Sequence, residues 1–184
     1  LHFAPDTEET LVFVADLGNT DPGATRAGDD ELATVADLAA LLVRYSYSGR
    51  IDHDEAELVA VRNTRDLLRR VWMLERDEAV REVNRMLRQA RALPQLARHD
   101  GSDWHLHGAP PDAPLAQRVQ VEAALAFVDV IRSGQTGRLR VCAAPDCTGL
   151  LLDLSRNGSK RFCGVRCGNR VNMTAFRERR QGAG

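Results

Sequence analysis

Apolar residues recur along the first two thirds of the chain at intervals of three and four. Over residues 31–47, Leu32, Val35, Leu38, Leu42 and Tyr45 fall on one face of a helix. Asp29 or Asp30 stands where an N-terminal cap is needed, and Ser46, Ser48 and Gly49 close the segment. Asp52 or Asp54 opens a second helix, whose stripe is Leu58, Val61, Leu68 and Trp72, broadened by Leu67, Val71 and Leu74. A third begins at Asp77, turns Val80, Val83, Met86 and Leu87 inward, and ends near Pro94. A fourth runs from about Leu115 to Ile131 over Val119, Ala123, Ala126, Phe127 and Val130. The run LVFVADL at 11–17 suits either a strand or a short helix, and its length does not decide between them. Gly18, Asn19, Asp21, Pro22 and Gly23 end it.

Residues 99–114 have no periodicity and hold three prolines and two glycines. They read as an exposed connection with room for a short hairpin around Trp104. His99, His105 and His107 lie there with Asp100 and Asp103. Such residues can hold a second metal, or simply be solvated loop side chains. After a joint at Ser133, Gly134 and Gly137 the pattern changes. Arg138–Val141 alternates as a strand does, Leu150–Leu152 is a second short strand, Arg161–Phe162 can return beside it, and a helix follows from Gly164 to about Arg179. The expected architecture is mainly α: a helical domain at 1–137 and a small treble-clef-like α+β unit at 138–184.

Charge sharpens that division. Residues 1–137 carry 15 arginines and no lysine against 23 carboxylates, an excess of eight negative charges. Residues 138–184 carry nine arginines and Lys160 against Asp146, Asp153 and Glu178, an excess of seven positive charges. A whole-chain charge of -1 hides an acidic body with a basic end. Aromatic residues make up only 5%, which argues against a stacking platform for single-stranded nucleic acid. The apolar stretches are too short for a membrane span, and LHFAPDTEET has no secretory character, so the expected compartment is the cytoplasm.

All four cysteines fall in that basic end, spaced Cys142-x4-Cys147-x15-Cys163-x3-Cys167. Two close pairs joined by a short loop can clasp one tetrahedral ion from both sides, and soft thiolates suit zinc. Four protein ligands leave no open position for water, so the metal is expected to be structural. A disulfide pair, an isolated redox cysteine and an iron–sulfur cluster are the competing chemistries, but no C-x-x-C pair supports the redox reading. A unit this small needs the ion for stability. Elsewhere no Walker or dinucleotide fingerprint and no nucleophile–base pair stands out, so no enzyme is expected.

The helix after Cys163 places Arg166, Arg170 and Arg177 along one face, extended by Arg179 and Arg180. Arg156, Lys160 and Arg161 add a basic loop. Val165, Asn169, Met173 and Phe176 lie on a neighbouring face, expected to pack against the strands and the metal loop, with Asn169 bonding backbone in the knuckle. Arginines suit phosphate and guanine contacts, which points to duplex DNA. They also suit an acidic protein surface, so a protein-interaction adaptor remains the second reading. In the body, Arg62, Arg65, Arg69 and Asn84 are candidates for lining an anion or small-ligand pocket; the alternative for the arginines is ion pairing with Glu55, Asp66 and Glu75.

The run RVCAAPDCTGLLLDLSRNGSKRFCGVRCGNRVNMTAFRERR resembles the CGNR zinc finger, named for residues seen here as Cys167-Gly168-Asn169-Arg170. The resemblance also includes Arg140-x-Cys142, Pro145-Asp146-Cys147, Leu152 to Asn157, Arg161-Phe162-Cys163 and Phe176 to Arg179. More loosely, Phe13 to Thr20, Arg62 to Leu68 and Val83-Asn84-x-x-Leu87 resemble the helical domain that accompanies this finger. The resemblance implies a bacterial, stress-induced transcription regulator with a structural zinc and a body that senses a small-molecule effector. Leucines at 150–152 in place of an aromatic, Gly-Val-Arg between the last two cysteines, and Asn172 in place of a basic residue depart from the pattern, and none removes a ligand. A homodimer would suit paired DNA half-sites.

Overall fold

The computed structural model describes residues 3–98 and 104–181. The run left open between strand and helix belongs to a helix, α1 (Pro5–Gly18). Pro5 supplies the preset first-turn geometry, and Asp6 and Glu8 face the positive end of the helix dipole. The run is apolar almost throughout because this helix is buried on more than one side: Leu11, Phe13, Val14, Ala15 and Leu17 are all in the core.

The next helix, α2 (Val35–Arg44), starts later than the periodicity suggests. Thr34 caps it and Asp37 reaches back to the Thr34 N–H, a reciprocal capping box. Asp30 instead accepts from the Leu32 N–H at 2.8 Å, a local turn that competes with helix and leaves Leu32 in the core ahead of α2. Helix α3 (Glu55–Met73) is capped by Asp54, which accepts from the Glu57 N–H at 2.8 Å. Helix α4 (Arg76–Gln89) stops five residues before Pro94, where Arg91 takes a left-handed φ of 49°. A two-stranded antiparallel hairpin follows, β1 (Gln95–Ala97) and β2 (His105–His107), with Leu96 opposite Leu106. Trp104 directly precedes β2; His99, Asp100 and Asp103 lie outside the described residues. Helix α5 (Leu115–Arg132) packs against α1, α3 and α4, and its alanines at 123, 124 and 126 permit close approach.

A 3-10 turn at Thr136–Arg138 leads into β3 (Leu139–Val141), paired antiparallel with β4 (Leu150–Leu152) in the register Arg140 opposite Leu151. Arg161 forms no third strand; its carbonyl accepts a single bond from the Ala143 N–H at 2.8 Å. Helix α6 (Val165–Gln181) ends the described chain. Leu150 and Leu152 point into the core of the helical body beside Leu11 and Leu17, while Leu151 faces the cysteines. The Trp72 indole, packed edge-on against Phe127, donates to the Arg140 carbonyl at 3.0 Å. Among the described residues no helix is long and apolar enough to cross a membrane.

Candidate metal centre and basic surface

The cysteine sulfurs all lie within 4.8 Å of one another. Each is placed by a local constraint. Cys142 follows β3, and its N–H bonds the Gly149 carbonyl at 2.7 Å. Cys147 closes a tight turn onto the Ala144 carbonyl, and its sulfur accepts from the Gly149 N–H at 3.4 Å. Cys163 precedes α6 and Cys167 sits in its first turn. Gly149 is the position where a side chain has no room: a Cβ there would stand 2.9 Å from the Cys163 sulfur and 3.2 Å from that of Cys147.

The donor set fits zinc. Zn–S bonds of about 2.3 Å in a tetrahedron place the sulfurs about 3.8 Å apart. Cys147 and Cys163 are 3.7 Å apart, as are Cys163 and Cys167. Burial and the surrounding sulfurs push the Cys163 thiol up, and burial chiefly does the same for Cys167. Burial works against the Cys142 thiolate, but hydrogen bonds from its neighbours outweigh it and hold that thiol below its ordinary value. Binding a divalent ion requires the sulfurs as thiolates, whose charge the ion would offset.

Around the cluster, polar side chains lock the loop. Asp153 is fully buried and accepts from the Lys160 N–H at 2.9 Å and from Ser155. Arg140 pairs with it at 3.2 Å. Burial works against its charge, but these hydrogen bonds and Arg140 hold its carboxyl below the usual range. Arg138 donates to the carbonyls of Asp153 and Ser155. Both arginines are thus structural, a role the sequence pattern did not single out.

The inward face of α6 differs from the expected one. Val165 is 80% exposed, Met173 51% and Phe176 46%, and Asn169 is exposed as well. Cys167 is buried instead, and Val171, one turn on, packs with Phe162 against the cluster. A ligand, not hydrophobicity, decides which way this helix faces, because the Cys167 sulfur must meet the other three. The knuckle partner is Arg170 and not Asn169: its guanidinium pairs with Asp146 at 2.7 Å and lies 3.7 Å from the Cys167 sulfur. Arg166, Arg177, Arg179 and Arg180 are exposed, as are Arg156, Lys160 and Arg161 on the loop. Arg161 lies over the Phe162 ring and Arg180 over that of Phe176. No ion pair to the acidic body is formed by Arg166, Arg170 or Arg177 among the described residues.

In the body, Arg65 is buried and pairs with Asp30 through two bonds of 2.7 and 3.0 Å, also reaching Thr20 and Asp66. Arg62 donates to the Leu32 carbonyl at 2.8 Å. Asn84 is exposed on α4. Arg62 and Arg65 thus share Asp30, which Arg62 approaches at 3.8 Å, and among the described residues no contact ties Asn84 to them. Arg69, expected with them beside a small ligand, instead bridges body and finger: it donates to the Gly18 carbonyl and, from its other nitrogen, to Thr148.

Two family models match the chain. The model of the CGNR zinc finger matches residues 138–180. The ABATE model, described as a putative stress-induced transcription regulator, matches residues 12–134. No curated protein matches the chain. Family and cysteine cluster together make this a zinc-binding chain.

Proposed function

Because the chain belongs to the ABATE family of putative stress-induced transcription regulators and ends in a CGNR zinc finger, we propose that it regulates transcription by binding duplex DNA through α6 and the adjoining basic loop. Cys142, Cys147, Cys163 and Cys167 hold one structural zinc, and the ion does no chemistry. It fixes the first turn of α6. The observation that carries the reading is the orientation of that helix: Cys167 faces the cluster, so Arg166, Arg177, Arg179 and Arg180 face solvent. Arg156, Lys160 and Arg161 widen the basic surface, while Arg170 contributes chiefly by holding the knuckle. The same reading divides the chain near residue 137. It places the protein in the cytoplasm, acting as a dimer on paired half-sites under a small-molecule effector.

Anisotropy titrations of random duplex DNA over a salt series test it. Affinity should fall steeply with salt. Binding that is absent at low salt, or indifferent to salt, would rule the surface out.

A specific observation favours the second reading, a protein-interaction adaptor. Val165, Met173 and Phe176 expose apolar surface on the same helix as the arginines. An acidic protein with an apolar strip would match both. In that case zinc-loaded protein fails to bind DNA, yet Phe176→Ala still weakens capture of the partner.

A further inference from the structure

A cleft of about 1360 Å³ opens between the N-terminal half of α1, the Tyr45–Gly49 loop, α5 and the β1–β2 hairpin. It lies away from the cysteines, and neither Arg62, Arg65 nor Asn84 lines it. It is larger than most small-molecule pockets, which run to about 1,000 Å³.

Its wall is aromatic. Phe13 contacts Tyr45 edge-on at 5.0 Å and Tyr47 at 5.4 Å between ring centres. Its mouth is apolar and uncovered: Leu93, Leu96, Trp104 and Leu106 gather along the hairpin, with Leu93 73% and Leu96 66% exposed. Four large apolar side chains left in water beside a cleft are unusual on a surface with no use for them.

The polar groups in the wall are engaged with one another. Tyr47 donates to Glu122 at 2.5 Å, and burial together with that carboxylate keeps the phenol protonated. His107 lies 3.6 Å from the same carboxylate and bonds the His105 ring at 2.9 Å. Tyr45 donates to Asp16. Arg118 directs its donors to the carbonyls of Ala113, Ser48 and Arg50. Around the rim Asp6, Glu9 and Asp129 are set against Arg91 and Arg132, so neither sign dominates. A charged ligand entering here would lose hydration without gaining a dedicated counter-charge. An uncharged one would exchange water for rings and leucines.

We propose that this cleft binds an uncharged, largely apolar organic molecule carrying an aromatic ring, gripped between the Phe13–Tyr45–Tyr47 cluster and the hairpin leucines. It goes beyond the DNA reading and stands whatever α6 binds.

The probe is N-phenyl-naphthylamine, whose fluorescence rises in apolar surroundings, compared with its sulfonated analogue, anilinonaphthalene sulfonate. The zinc-loaded full chain should bind the neutral dye saturably at one site, and the anion about tenfold or more weakly. Leu96→Ser with Leu106→Ser, both at exposed positions, should weaken the neutral dye about tenfold with an unchanged far-ultraviolet spectrum. Thr10→Trp, which fills the cleft from α1, gives the same loss by an independent route if the double variant does not fold. Equal binding of the two dyes, or neutral-dye binding indifferent to both variants, overturns the proposal. The latter outcome would place the dye elsewhere, such as on the exposed strip of α6.

Discussion

Asn19 and Leu150 exchange two hydrogen bonds: the Asn19 amide donates to the Leu150 carbonyl at 3.0 Å, and the Leu150 N–H donates to the Asn19 carbonyl oxygen at 2.6 Å. The side chain at the end of α1 thus acts as the missing neighbour strand of β4. Only an amide offers donor and acceptor side by side.

Asn19→Asp removes the donor and sets a carboxylate against the Leu150 carbonyl. It should cost about 1–3 kcal/mol, at least as much as Asn19→Ala. Urea denaturation of zinc-loaded protein checks this, and a loss smaller than that of Asn19→Ala would contradict the exchange.

Zinc removal should be felt on both sides of residue 137. Leu150 and Leu152 belong to the body's core, and Trp72 bonds Arg140. Purified protein should carry about one zinc per chain, given one four-thiolate site. A chelator should then red-shift Trp72 emission in a Trp104→Phe background and lower the thermal midpoint of the helices. If the helical signal ignores the chelator, body and finger are energetically separate.

Arg166→Ala and Arg177→Ala should each weaken duplex DNA binding uniformly across sequences and lower the salt slope by about one. Arg170→Ala should behave differently, because its guanidinium ties Asp146 to the Cys167 edge of the cluster. It should speed zinc loss to a colorimetric chelator, which Arg166→Ala leaves unchanged. Identical zinc-release rates would refute a special role for Arg170.

Acid should weaken the loop that precedes α2. Burial raises the Asp30 carboxyl, but Arg65, the Leu32 N–H and Arg62 outweigh it and hold it below its ordinary value. A carboxyl depressed in the folded state adds stability above its unfolded pKa of about 3.9, lost as pH falls through the folded value. Asp30→Asn should therefore destabilise the protein at neutral pH and flatten the acid limb of urea midpoints below about pH 4. An acid limb as steep as that of the wild type would remove Asp30 from the account.

The four cysteines were legible because their spacing is local and their chemistry admits few partners. The stripes of α3, α4 and α5 were legible for a similar reason, since one buried face leaves a periodic trace. The start of α2 was not read correctly because Asp29, Asp30 and Thr34 are all plausible caps, and only the long-range pairing of Asp30 with Arg65 removes one of them. The face of α6 differs from the expected one because Met173 and Phe176 offer more apolar surface than Val171, yet the sulfur geometry at Cys167 overrides hydrophobicity. Arg69 was legible as a polar candidate on α3, but its bridging role was not, nor was that of Arg138: their partners are chiefly backbone carbonyls, which every sequence possesses.

Charge separation in this chain gains a mechanical meaning from β4. An acidic body and a basic end joined by a loose tether would respond to a field independently. Here the strand that carries the basic end is packed within the acidic half, so both halves share one frame. The molecule is then an electric dipole that turns as a whole. If α6 meets a polyanion as proposed, the resulting torque would bring it forward and swing the carboxylate-rich body away before any contact forms. Added salt would shorten the reach of that alignment to about a Debye length, slowing productive encounters even where the final contacts are unchanged.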